Sequence, residues 1–145
     1  VVMTRDTDID VYGSNATDRQ ELQARVNVGA YTPGTHVFLS IHRNAFSSSA
    51  ANGTGTYYYP KSDYDATLAR DLQQAMIAAC GLRDRGISEA NFYVVKRSAM
   101  PAALVELAFI TNYREEALLS DDDFQDKIAM AICEGLGRFF ADTGI

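Results

Sequence analysis

Two ionisable residues, His42 and Glu106, stand where the surrounding sequence is apolar. His42 ends the apolar part of Phe38-Leu39-Ser40-Ile41-His42-Arg43-Asn44-Ala45, after which the chain turns to small polar residues. Glu106 interrupts the run from Ala102 to Ile110, AALVELAFI. A carboxylate among Leu104, Val105, Leu107 and Ala108 is costly to bury unless it is paired or hydrogen-bonded. Buried without a cation, its pKa rises toward the range of a general base. The competing readings are structural: a satisfied histidine beside a strand, and a glutamate in a salt bridge with an arginine. In open α/β sheets, ligands bind outside the carboxyl ends of the strands, and His42 lies at such an end. A histidine and a glutamate converging there fit metal-assisted hydrolysis, in which zinc polarises a carbonyl and a carboxylate handles protons.

Other constellations do less. His36 and His42 face the same way on a strand, but six residues at ~3.3 Å each separate them by about 20 Å. They cannot share one metal ion, and His36 reads as a surface loop residue. Ser40 lies two residues before His42, yet no third partner for a hydrolytic triad is evident. The chain has no His-Glu-x-x-His, no Gly-x-Ser-x-Gly and no phosphate loop. Asp121-Asp122-Asp123 precedes an apolar-periodic run, so it reads as a helix N-terminus, where carboxylates favour the positive end of the dipole, rather than as a calcium site. Cys80 and Cys133 fall in helical patterns, too few and too far apart for a zinc site or a disulfide framework. They read as free thiols.

The elements that must position His42 and Glu106 are legible from periodicity. Val1–Met3 read as the end of a strand, followed by a polar loop to Thr17. Thr17-x-x-Gln20 has the form of a capping box. A helix follows to about Ala30 with Leu22, Val26 and Ala30 on one face, and Pro33-Gly34 stops it. Val37–Ile41 is a short apolar run with the signature of a strand buried on both faces. SSSAANGTG, residues 47–55, is a loop, and Thr56–Tyr59 is a strand. A long amphipathic helix runs from about Asp63 to Cys80, with Leu68, Leu72, Ala75, Met76 and Ala79 inward and Gly81 as its stop. Residues 81–91 read as a loop, Asn91–Lys96 as a strand and Ala102–Ile110 as a buried strand. Asn112 caps a short helix through Leu119. The closing helix runs from about Asp122 to Ala141, with Phe124, Ile128, Ala131, Ile132, Gly135 and Phe139 inward. This alternation predicts a single α/β domain whose largely parallel or mixed sheet carries helices on both faces.

With 145 residues, 47% of them hydrophobic, the chain can bury a core without staples. Its net charge of -6 and lack of a basic stripe argue against nucleic acid. No apolar run approaches a membrane span.

Seven blocks, in order, resemble the zinc-dependent N-acetylmuramoyl-L-alanine amidases of bacterial cell-wall lysis, the amidase type 3 family. They are VVMTR at 1–5, LQARV at 22–26, VFLSIHRNA at 37–45, ANGTGTYYY at 51–59, GLRDRGI at 81–87, NFYVV at 91–95 and MPAALVELAFITN at 100–112. The closing IAMAICEGL at 128–136 also fits. The chain departs from the family at Val28-Gly29-Ala30-Tyr31, where an Ala-Asn pair is usual.

The resemblance implies that His42 is a zinc ligand and that Glu106 is the catalytic carboxylate. It also implies cleavage of the amide between the lactyl group of N-acetylmuramic acid and L-alanine of the stem peptide. Asn44, in the same block as His42, is expected to support substrate binding. The family's other two zinc ligands, a histidine and a glutamate, fall before the segment matching VVMTR. Residues 1–145 are therefore expected to be the larger, C-terminal part of the catalytic domain, lacking its first strand and a helix, and inactive alone. Peptidoglycan is the implied partner, and the implied location is extracellular, periplasmic or in the cell wall of a bacterium, or in a phage lysin. The alternatives are a peptidoglycan-binding module that has lost catalysis and a zinc carboxypeptidase of related architecture.

Overall fold

The sheet is assembled around one strand. In a computed structural model describing residues 1–145, Ala102–Phe109 (β4) lies between Phe38–Asn44 (β1) and Thr54–Tyr58 (β2), and Asp84–Glu89 (β3) pairs with the far side of β2. β1 runs parallel to β4 and β3 parallel to β2, while β2 and β4 are antiparallel. The expected mixed sheet is thus present. β4 can occupy its centre because AALVELAF offers apolar side chains to both faces.

Helices cover both faces. On one face, Asp63–Cys80 (α2) and Asp122–Thr143 (α5) pack Leu68, Leu72, Met76, Ile128 and Phe139 against Ala103 and Val105 of β4. The two helices meet at Gly135, where a Cβ would lie 2.8 Å from the Cα of Leu72. On the other face, Asp18–Tyr31 (α1) and the short Tyr93–Arg97 (α3) pack Val26, Val94 and Val95 against Phe38, Ala102 and Leu104. Tyr113–Leu119 (α4) links β4 to α5.

The helix ends follow the chemistry of their sequences. Thr17 and Gln20 form the capping box of α1. Gly81 adopts φ 64° and ends α2, a conformation glycine takes without Cβ strain. Asn112 accepts the N–H groups of Arg114 and Glu115, and Asp121 accepts that of Phe124 at 2.8 Å. Asp65, fully buried in the first turn of α2, accepts the N–H of Ser62, the ammonium of Lys61 at 2.6 Å and the backbone N–H of Ala102 at 3.0 Å. It therefore ties the start of α2 to the start of β4.

Four expectations fail. Residues 93–97 are a helical turn, not a strand: Val94 and Val95 both bury against the sheet, and Ser98 N–H bonds to the carbonyl of Val94. Residues 84–89 form β3 rather than a loop, although the strand is mostly exposed, because backbone pairing to β2 needs no apolar pattern. Val1–Met3 pair with no strand and stay exposed. β1 is not buried on both faces: it is an edge strand, and Ile41 is 54% exposed. Cys80 and Cys133 are free, and His36 is an exposed loop residue.

Candidate active site

His42 and Glu106 are register partners on adjacent parallel strands. Phe38 and Ala102, their counterparts four residues earlier, both belong to the core under α1 and α3. Since side chains alternate along a strand, His42 and Glu106 project from that same face, beyond the end of the apolar packing. Neighbouring strands lie ~4.8 Å apart, so the two side chains stand next to each other.

α1 brings a third group. A Cβ on Gly29 would touch the Phe38 ring at 3.3 Å, which places the last turn of α1 over the start of β1. One turn earlier along α1 is Arg25, about 6 Å further toward the carboxyl end of the sheet, above Ser40 and His42. Arg25 is neutralised by Glu21 at 2.9 Å, and Glu21 is in turn held by the N–H of Tyr12 at 3.0 Å. The His42 pKa is lowered, first by loss of solvent around the inner edge of its ring and then by the charge of Arg25. The ring is exposed on its outer side all the same. Its Nε2 lies 3.1 Å from Ser40 Oγ. The tautomer that donates from Nε2 to Ser40 leaves Nδ1 with a free lone pair, the pattern of a metal-binding imidazole.

Glu106 has no salt bridge. Its Oε2 is buried without a hydrogen-bond partner, and burial pushes its pKa up. The arginine pairing that would have made it a structural residue does not form. Asn44 ends β1, where its carbonyl accepts the N–H of Ile110 at 2.8 Å. It lies past an irregularity in the β1–β4 register, so its side chain is not simply the next one in line after His42.

Residues 1–138 match the family model described as N-acetylmuramoyl-L-alanine amidase. The chain belongs to this amidase family. It is 44% identical over 123 residues to the N-acetylmuramoyl-L-alanine amidase LytC of Bacillus subtilis, an alignment covering 82% of this chain and 24% of LytC. Among solved structures it resembles the catalytic domain of the amidase CwlV from Bacillus (Paenibacillus) polymyxa, with 39% identity and a TM-score of 0.77 over 83% of this chain and 65% of that one. It also resembles the CwlD amidase of Clostridioides difficile, solved in complex with the GerS lipoprotein, with 27% identity and a TM-score of 0.84 over 97% of this chain and 75% of that one. The chain spans about half or less of the length of the curated relatives it matches first.

The family is generally zinc-dependent, so the donor set must be weighed. His42 fits one ligand position: its ring is solvent-accessible, oriented by Ser40 and kept neutral by its surroundings. Beyond it, no three His, Cys, Asp or Glu side chains of this chain come together to hold a metal. A catalytic zinc takes three protein ligands, and His42 is the one residue of the candidate pair whose chemistry suits such a position.

Sequence reasoning missed two neighbours of the pair. Arg25 belongs to the helix that covers β1, and only the Gly29–Phe38 contact fixes where its turn falls. On the other side of Glu106 stands Gly55, its register partner on β2. A Cβ there would lie 3.4 Å from the Cβ of Arg85 on β3. Arg85 lay in the segment read as a loop, so no side-chain facing could be assigned to it from sequence.

Proposed function

We propose that this chain is the larger part of the catalytic domain of a peptidoglycan hydrolase, which cleaves the amide between N-acetylmuramic acid and L-alanine of the stem peptide. The observation that carries the reading is the register pairing of His42 with a glutamate whose Oε2 is buried and unpartnered. His42 is one zinc ligand. The remaining ligands come from a segment preceding Val1, which adds a strand at the free edge of β1 and packs an element into the apolar groove of Ile41, Leu107, Phe124, Ile128 and Ile132. Zinc, when bound, supplies Lewis-acid polarisation of the carbonyl and acidifies water. Glu106 accepts the proton of the attacking water and passes it to the leaving amine. Ser40 fixes the His42 ring, and Asn44 contacts substrate at the end of β1. The site works outside the cytoplasm, in the cell wall or extracellular space of a bacterium.

The test uses the chain extended to include the residues before Val1, with metal content and release of stem peptides from purified cell walls as readouts. Glu106→Gln should abolish hydrolysis while zinc stays bound; surviving activity removes Glu106 from its role. His42→Ala should lose zinc, and full retention of the metal would sink the ligand assignment. Residues 1–145 alone should neither hold zinc tightly nor hydrolyse cell walls.

A further inference from the structure

The solvent side of α1 carries an uncharged stripe. Gln20, Gln23, Ala24 and Asn27 share one face of the helix, at the three- and four-residue spacings that bring side chains together. Tyr12 stands beside Gln20, and Tyr93 of α3 stands beside Gln23. These six residues line most of a pocket of about 360 Å³, within the ~300–1,000 Å³ of small-molecule sites. Ala24, with a single methyl group between Gln20 and Asn27, forms its floor.

Hydrogen bonds hold these side chains in place. Tyr93 donates its O–H to Gln23 Oε1 at 2.7 Å, and Gln23 Nε2 donates to Asn27 Oδ1 at 2.8 Å. Gln20 Nε2 donates to the Tyr12 hydroxyl at 3.0 Å, while Glu21 accepts the Tyr12 backbone N–H. The Arg97 guanidinium backs the Tyr93 ring at 5.7 Å. Each side-chain amide has two N–H groups. The network therefore leaves one on Gln20, one on Gln23 and both on Asn27 without a protein acceptor, and the Tyr12 O–H is free to donate. Tyr12 is 57% exposed and offers an apolar ring face beside these donors. No carboxylate lines the pocket, although the chain has 19, and its one charge is the exposed Arg19.

Fixed amides and hydroxyls around an apolar ring suit a ligand that is uncharged, rich in hydroxyl and amide groups, and apolar on its faces. N-acetylated hexosamines have this chemistry. Free carboxylates of a stem peptide call instead for cations. We propose that this pocket binds the glycan chain of peptidoglycan. The inference rests on the amidase reading above, which supplies the polymer. Gln23 and Arg25 are two residues apart and so look to opposite sides of α1. Arg25 lies over His42, and the pocket is separated from that side by the thickness of the helix, ~10 Å. The sugar held in it belongs to a part of the glycan beyond the reacting unit. Binding there keeps the enzyme on the wall between one cleavage and the next.

The experiment titrates the full-length amidase with soluble oligomers of N-acetylglucosamine, follows the side-chain amide signals by NMR, and then compares two substrates. Shifts are expected at the NH2 groups of Gln23 and Asn27, with little dependence on salt. Asn27→Ala should weaken binding about fivefold to tenfold, the scale of one or two lost hydrogen bonds. Ala24→Leu should abolish binding by filling the floor, with melting unchanged because leucine is a good helix former. If that variant melts lower, Asn27→Ala, in which alanine favours the helix, carries the test. Both variants should show a several-fold lower kcat/KM on insoluble cell walls and wild-type cleavage of a soluble muropeptide with a single disaccharide. Oligomer binding that survives both substitutions overturns the inference, as does an equal loss of activity on both substrates. So does binding abolished by high salt, which marks an anion site at Arg19. Absence of cleavage of either substrate by the wild type would instead overturn the amidase reading, so the two failures are distinct.

Discussion

The carboxylate of Glu115 accepts the backbone N–H of Phe109 at 2.7 Å, and so stops β4 three residues beyond Glu106. Its other oxygen accepts the N–H of Gly53 at 2.7 Å, at the start of β2. A single buried side chain thus joins the end of β4 to the start of β2. Glu115→Gln keeps one acceptor and turns an NH2 group toward the other N–H. It is expected to cost about 2 kcal/mol of unfolding free energy, the scale of a lost hydrogen bond to a charged group. Glu116, exposed one position further on, is the control. Urea denaturation of Glu116→Gln should match wild type.

Glu106 should leave a pH signature on stability in the metal-free chain. Its folded pKa is raised by burial, so between the unfolded and folded values the native state holds more protons than the unfolded state. Stability contributed by this group therefore falls as pH rises through that window. Glu106→Gln removes the cost, so the variant should melt higher than wild type at pH 7. The gain should vanish below the ordinary glutamate pKa. A melting series from pH 3 to pH 7 in which the difference does not grow with pH would contradict the buried, unpaired state of this carboxylate.

Gly135→Ala tests the α2–α5 contact. The added methyl would sit 2.8 Å from Leu72 Cα and 3.0 Å from Asp71 O, both backbone atoms that cannot swing aside. The helices must separate, at a cost of about 1–3 kcal/mol. Gly137→Ala, where a Cβ meets nothing within 4 Å, should be neutral or slightly stabilising, since alanine favours helix. Thermal denaturation of the two variants gives the comparison.

Both cysteines should titrate as thiols without reductant. Cys133 is exposed and should react with a thiol reagent in the native state. Cys80, half-buried with its Sγ 3.5 Å from the N–H of Leu82 and 3.8 Å from Thr54 Oγ1, should react more slowly. Two thiols per unfolded chain are expected; fewer would reveal a bridge.

The long elements were legible because burial and periodicity agree in them. α2 and α5 carry their apolar residues at helical spacing, and β4 is apolar on both sides because both sides are covered. β3 and α3 were not legible, for opposite reasons. β3 is held by backbone pairing along one edge and needs little apolar surface. The two valines of α3 have the β-branched character of a strand, yet five residues are too few to show a period, and packing on the sheet decided their form. The site divided along the same line. His42 and Glu106 stand out as polar residues in apolar runs, whereas Arg25 and Arg85 are ordinary charges until tertiary contacts place them. Glu115 was hidden beside Glu116, which looks identical in sequence and does nothing comparable.

β4 also poses a question of alignment that its own sequence does not answer. A slide of two residues in AALVELAF would keep every side chain on its face and, Glu106 apart, exchange apolar residues for apolar residues, so hydrophobicity alone distinguishes the alternatives poorly. The same slide would carry Glu106 out of line with His42. Asp65 at Ala102 and Glu115 at Phe109 bind the two ends of this strand through its backbone N–H groups, and so hold it in place once it is aligned. Two buried carboxylates with no part in the chemistry thus pin the strand that carries a third.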